Sequence, residues 1–216
     1  MEQKKFNNNM KTLEIRSNQT EIRSIEENSR KVSGLAIPVG TRSELLYGEF
    51  YETIDPAALD GIVENYDVKL YVNHDASQGT FARSKFGHGS LRLFVTDRGL
   101  EFETELPNTA LGDMLLEGIR RNDFDSMSFA FAPDKEEWEE NEDGTYNRTI
   151  RSIAFLDEIS ILSCAPAYEA TEVKLRSLES FKEEKQKEKE ERDKQILESL
   201  DAKLAQIEAI KQEFGV

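Results

Sequence analysis

From Lys31 to Leu162 the chain keeps returning to apolar runs of strand length, each stopped within a few residues by Gly, Pro, Asp or Asn. That rhythm constrains the fold more than any other feature. Short alternating runs bounded by turn formers bury one face of a sheet and leave little room for long helices. Lys31–Ile37 reads as a first core strand, ended by Pro38 and Gly40, and Gly48–Ile54 as a second. Val68–Val72 follows with Val68, Leu70 and Val72 on one face. Gly89–Val95 and Gly99–Leu106 are joined by Asp97-Arg98-Gly99. Two helices interrupt the strands. Asp55-Pro56 supplies a cap and a first-turn proline for Ala57–Asn65, and Leu111, Leu115 and Ile119 give helical spacing over Thr109–Arg120. Asp143-Gly144 sets a reversal between Ser128–Phe131 and the strand from Ile153 onward. The expected class is mainly β with helices (α+β), a β-barrel or sandwich with short helices packed outside.

Composition changes at both ends. Residues 1–30 are polar and read as a flexible N-terminal segment carrying one strand-like patch, Leu13–Arg16. Residues 31–175 form the main domain. Residues 176–216 form a C-terminal helical tail, first a charged stalk with Glu183/Lys187, Glu188/Arg192 and Glu190/Lys194 at favourable i, i+4 spacing. Leu197, Leu200, Leu204, Ile207 and Phe214 then mark a short amphipathic stripe that wants a partner. A formal net charge of -15 excludes the basic stripe that phosphate contacts need, so no nucleic-acid partner is expected. No run of eighteen apolar residues suggests a membrane span, and no signal-peptide pattern opens the chain. One cysteine, Cys164, cannot make an intramolecular disulfide and suits a reducing compartment.

Three short segments carry groups capable of chemistry: Val72-Asn73-His74-Asp75, Ser126-Met127-Ser128-Phe129-Ala130-Phe131 and Leu156-Asp157-Glu158-Ile159-Ser160. Taken singly, each has an ordinary reading. Asn-His-Asp is common turn chemistry, and a small-residue row opposite Met127, Phe129 and Phe131 is the crowded side of a sheet. Glu158 is different, because it interrupts an apolar run and a buried carboxylate needs a partner. Together they supply imidazole, hydroxyl and carboxylate, the set that acyl transfer by a serine hydrolase requires. With only two histidines in the chain, the base is His74 or His88, and His88 lies between glycines. A two-residue reversal at Asp143-Gly144 sets Ser128 opposite residue 159, one position from Glu158. A one-residue bulge near Pro133 then brings Ser128 and Glu158 to one face, with Met127, Phe129, Ile159 and Ile161 on the other. His74 continues the apolar row of Val68–Val72 and is expected just past the strand end. Cys164 with a histidine is a rival nucleophile, and a buried inert thiol is its plainer reading. A metal site from His74, Asp75 and Glu158 lacks a two-histidine helical spacing, so no metal is expected. The acidic cluster Glu136–Asp143 reads as the solvated end of the hairpin.

Residues 31 to 173 resemble the tailed-phage prohead maturation proteases, whose fold is similar to that of the herpesvirus assemblins. The resemblance rests on Gly34-Leu35-Ala36-Ile37-Pro38, Glu49-Phe50, Ile54-Asp55-Pro56-Ala57, Asn73-His74-Asp75, Asp97-Arg98-Gly99-Leu100, Met127–Phe131, Leu156–Ser160 and Ala165-Pro166-Ala167, in that order. It implies an assemblin-like β-barrel, with His74 as base, Ser128 as nucleophile and Glu158 as third member. It further implies a serine endopeptidase in the bacterial host cytoplasm, inside the assembling prohead. That enzyme would cleave the scaffolding segment of the major capsid protein, and then itself, with no cofactor. Assemblins use a second histidine as third member, which keeps His88 in view, and no arginine closely follows Glu158 to furnish an assemblin-like oxyanion hole. A non-catalytic scaffold or capsid-assembly protein that retains the fold is the competing expectation, and the tail would serve either through self-association.

Overall fold

Eleven strands form wherever the described chain alternates, and they divide between two sheets. The computed structural model describes residues 13–20, 22–24, 29–163 and 172–214. The strands are β1 (Glu14–Gln19), β2 (Arg23–Ser24), β3 (Lys31–Pro38), β4 (Phe50–Ile54), β5 (Asp67–Val72), β6 (Ala82–Lys85), β7 (His88–Gly89), β8 (Leu91–Thr96), β9 (Gly99–Glu105), β10 (Ser126–Glu140) and β11 (Tyr146–Leu162). The larger sheet runs β1-β10-β11-β5-β6-β7, with β4 also paired to β11, and the smaller runs β2-β3-β9-β8. The helices are α1 (Ile62–Asn65), α2 (Ala110–Arg120) and α3 (Glu172–Phe214). The fold is therefore α+β with a C-terminal helix, and among the described residues neither sheet closes on itself by strand pairing. Two compact units divide the chain, Met1–Glu169 and Ala170–Val216. Cys164 and Ala165-Pro166-Ala167 lie outside the described residues.

Local differences from the expected pattern have local causes. The helix expected over Ala57–Asn65 is split: Asp55 caps a 3-10 turn at Pro56–Leu59, and Gly61 at φ +70 breaks the path before α1. In α2 the buried stripe is Gly112, Leu115, Leu116 and Ile119, an i, i+3, i+4, i+7 set, while Leu111 faces out. A Cβ at Gly112 would lie 2.0 Å from the Pro107 carbonyl oxygen, so only glycine lets this turn pack so closely.

Within residues 1–30, read as a flexible segment with a strand-like patch at Leu13–Arg16, the described residues hold an ordered strand. Glu14–Gln19 is paired antiparallel along Ser126–Phe131 of β10. Its polarity is inverted: Leu13 and Ile15 are 43% and 39% exposed, whereas Glu14 and Arg16 are 5% and 8% exposed. Burial of those charges is offset by a network. Arg16 donates to Glu52 at 2.5 and 2.6 Å and to Glu14 at 2.7 Å. Arg148, only 1% exposed, donates to Glu14 at 2.7 and 2.9 Å, to Glu52 at 2.8 Å and to Glu136 at 2.7 Å. The network thus joins β1, β4, β10 and β11. Glu136 consequently leaves the acidic cluster at the hairpin end and becomes a structural partner, and Glu137 pairs with Arg151 at 2.7 Å.

The β10–β11 hairpin is longer than expected, with 15 and 17 residues in its strands. Asn141 N donates to Thr145 O at 2.8 Å, so three residues, Glu142 to Gly144, make the reversal, with Gly144 at φ +83. Register shifts follow at several places between Ala130 and Glu136, one of them at Pro133. Their sum sets Ser128 opposite Ser160 and Glu158 opposite Ala130.

Candidate active site

The face of β10 and β11 away from the core carries small and polar groups, because side chains alternate and Met127, Phe129, Ile159 and Ile161 take the core side. Ser126, Ser128 and Ala130 of β10 share that outer face with Glu158 and Ser160 of β11. All five are buried. The shared face is as the alternation required. The separation is not: Glu158 lies two positions from the residue facing Ser128, since the reversal holds three residues and the bulges add up differently.

Strand β5 pairs parallel with β11 on the side away from β10, with Ser160 beside Tyr71 and Ile161 beside Val72. It ends at Val72, and the chain turns through two successive left-handed residues, Asn73 at φ 51 and His74 at φ 58. Such backbone is uncommon outside glycine and needs local support. Asn73 N donates to Ile161 O at 3.0 Å. Its side-chain oxygen accepts from Ser163 N at 3.0 Å, and its amide donates to Ser163 Oγ at 3.2 Å. Downstream, Asp75 accepts from Ser77 N at 2.9 Å and from Gln78 Nε2 at 2.7 Å, capping the turn Ala76–Gln78. Hydrogen bonds from the Ser77 hydroxyl, the Gln78 amide and the Ser77 backbone hold its carboxyl below the usual carboxylate range.

This turn carries the His74 ring over β11. Nδ1 lies 2.5 Å from Glu158 Oε1 and Nε2 lies 2.7 Å from Ser128 Oγ. A carboxylate only accepts, so Nδ1 carries the proton toward Glu158 and Nε2 is left as an acceptor facing the hydroxyl. Ser128 Oγ also donates to the Arg16 carbonyl oxygen of β1 at 2.8 Å. One hydroxyl proton therefore has two acceptors, and Ser128 presents no surface to solvent. The structure brings His74, Ser128 and Glu158 into one hydrogen-bonded line. His88 is elsewhere, exposed on β7 opposite Lys85, with β6 between it and β5. Among the described residues no group of three or more His, Cys, Asp or Glu could hold a metal ion. No helix there is long and apolar enough to cross a membrane.

Two contributors escaped the sequence reading. The Arg16 carbonyl could not be foreseen, because β1 is inside out. Ser160 donates to Glu158 Oε2 at 2.6 Å and accepts from His74 N at 3.2 Å. Its signal was present in the Glu158-Ile159-Ser160 spacing, which puts hydroxyl and carboxylate on one strand face. A family model described as caudovirus prohead serine protease matches residues 17–187. No curated protein matches the chain, and no solved structure does.

Proposed function

The chain belongs to the caudovirus prohead serine protease family, and on that premise we propose that it is a serine endopeptidase with Ser128, His74 and Glu158 as its catalytic residues. Its substrate in this reading is the scaffolding segment of the major capsid protein, followed by its own chain, inside the prohead as it assembles in the bacterial cytoplasm. The observation that carries the proposal is the His74 ring, within hydrogen-bond distance of the Ser128 hydroxyl at one nitrogen and of the Glu158 carboxylate at the other.

The chemistry follows from that line. Ser128 Oγ attacks the scissile carbonyl carbon as His74 Nε2 takes its proton, and Glu158 stabilises the imidazolium that forms. Collapse of the tetrahedral intermediate breaks the C–N bond, and Nε2 returns the proton to the leaving amine. A water molecule, deprotonated in turn by His74, then hydrolyses the acyl-enzyme and restores the Ser128 hydroxyl. The positive charge that develops on the imidazole is thus met by Glu158.

The test is co-expression of the full chain with its capsid protein and mass spectrometry of the assembled proheads. Wild-type protein should yield a shortened capsid protein, and Ser128→Ala should leave it full length. Cleavage at the wild-type level with Ser128→Ala would overturn the assignment, and particles that form around uncleaved wild-type mixtures would favour a purely structural assembly role.

A further inference from the structure

Besides Ser128, the polar face of the hairpin holds a second hydroxyl in contact with both Glu158 and His74. Ser160 stands directly across the ladder from Ser128 and shows no surface to solvent. It is saturated in an unusual way. Its Oγ donates to Glu158 Oε2 at 2.6 Å and accepts from the backbone N–H of His74 at 3.2 Å. Glu158 thereby divides its two oxygens, Oε2 to Ser160 and Oε1 to His74 Nδ1 at 2.5 Å. The contacts close a ring: His74 backbone to Ser160, Ser160 to Glu158, Glu158 back to the His74 imidazole.

From this ring we infer that Ser160 is a positioning residue, locking the Glu158 carboxylate and the His74 backbone into one unit so that Nε2 stays aimed at Ser128. Two freedoms make such a lock necessary. A glutamate has three side-chain torsions, and its last is broad, so one contact to His74 does not fix the carboxylate plane. His74 also holds a left-handed backbone, which persists only where its surroundings over-determine it. Ser160 answers both with one oxygen. An inert strand serine would need only one partner to be satisfied, and it would have no reason to join the two groups whose relative position matters. Residues that orient a reacting group through a second hydrogen bond act in the same manner around metal ligands.

The inference rests on the catalytic reading above, and its test separates the two. In full-length protein carrying His88→Gln, which leaves His74 as the single histidine, the His74 Nδ1 proton is followed by NMR alongside peptide hydrolysis, with thermal unfolding to establish that each variant folds. Ser160→Ala should displace or broaden the Nδ1 resonance through exchange with water, and lower kcat on the order of 10- to 100-fold at unchanged KM. Ser160→Thr, which keeps the hydroxyl, should restore the resonance and most of kcat. A folded Ser160→Ala protein with the wild-type resonance and wild-type kcat would overturn the inference. The resonance does not depend on turnover. If Ser128→Ala showed the chain not to be a protease, a displaced Nδ1 signal in Ser160→Ala would still sustain the positional role, and an unmoved one would end it.

Discussion

A ring that must span a hydroxyl on one strand and a carboxylate two rungs away on the next cannot belong to a third strand in regular register. Regular extension would have aimed His74 along the row of Val68, Leu70 and Val72, into the core. Asn73 and His74 avoid this by reversing the backbone, and the Asn73–Ser163 clasp holds the reversal. The roles at this scale can be ranked by substitution. Ser128→Ala should reduce peptide hydrolysis on the order of 10^4- to 10^6-fold, and His74→Ala by a similar factor, because members of one unit do not contribute additively. Ser126→Ala should be mild, since its hydroxyl donates to Asp125 at 2.9 Å and makes no contact with the ring. Glu158→Gln should cost less than His74→Ala, and His88→Ala should leave kcat/KM unchanged in a steady-state peptide assay. Loss of activity in His88→Ala with full activity in Glu158→Gln would move the third role to the second histidine.

At the scale of elements, the alternation of β10 and β11 was legible because the side-chain period of a strand is two. The polar and apolar faces could therefore be assigned residue by residue. The register was not legible, because it depends on the reversal at Glu142–Gly144 and on several shifts between Ala130 and Glu136 that the alternation does not mark. The burial of strand β1 was not legible, for a sharper reason. A pattern reader places Leu13 and Ile15 inside and Glu14 and Arg16 outside, whereas the buried guanidinium–carboxylate network reverses both. The network makes a definite expectation. Burial alone would raise the Glu14 carboxyl, but the Arg148 hydrogen bond and the Arg16 and Arg148 charges hold it below its ordinary value of 4.5. A depressed folded pKa contributes stability above pH 4.5 that is lost as pH falls through the folded value. Arg148→Met should therefore destabilise the fold by about 3–5 kcal/mol at pH 7, by leaving Glu14 and Glu52 short of a partner. In denaturant titrations the gap between wild type and variant should narrow as pH falls below 4.5. A gap independent of pH would remove the network from the account.

For the whole molecule, we propose that the division near residue 175 separates a hydrolytic domain from a recruiting tail. Helix α3 has 43 residues, about 65 Å at 1.5 Å per residue. Its surface carries polar i, i+4 contacts such as Gln186 donating to Glu190 at 2.8 Å, and Ile196, Leu197 and Leu200 are exposed on it. A lone helix of this composition gains little from burial, so its apolar positions suit association with another copy or a scaffold helix. A protein ending at Leu175 should fold and hydrolyse a peptide at the full-length rate, yet be absent from purified proheads by immunoblot. Normal packaging of the shortened protein would remove the recruiting role from α3.

The attachment of β1 also orders events in time. Arg16 is made early, but the hydroxyl it accepts from is 112 residues later, and Arg148 stands 134 residues after Glu14. Closing such loops is slow relative to forming local turns, and chains rich in distant contacts fold correspondingly late. His74 likewise waits 84 residues for Glu158. A nascent chain that has not yet released β11 from the ribosome holds a histidine and a serine but no line between them. On the catalytic reading proposed above, the three residues would come into line only once β11 is available to pair.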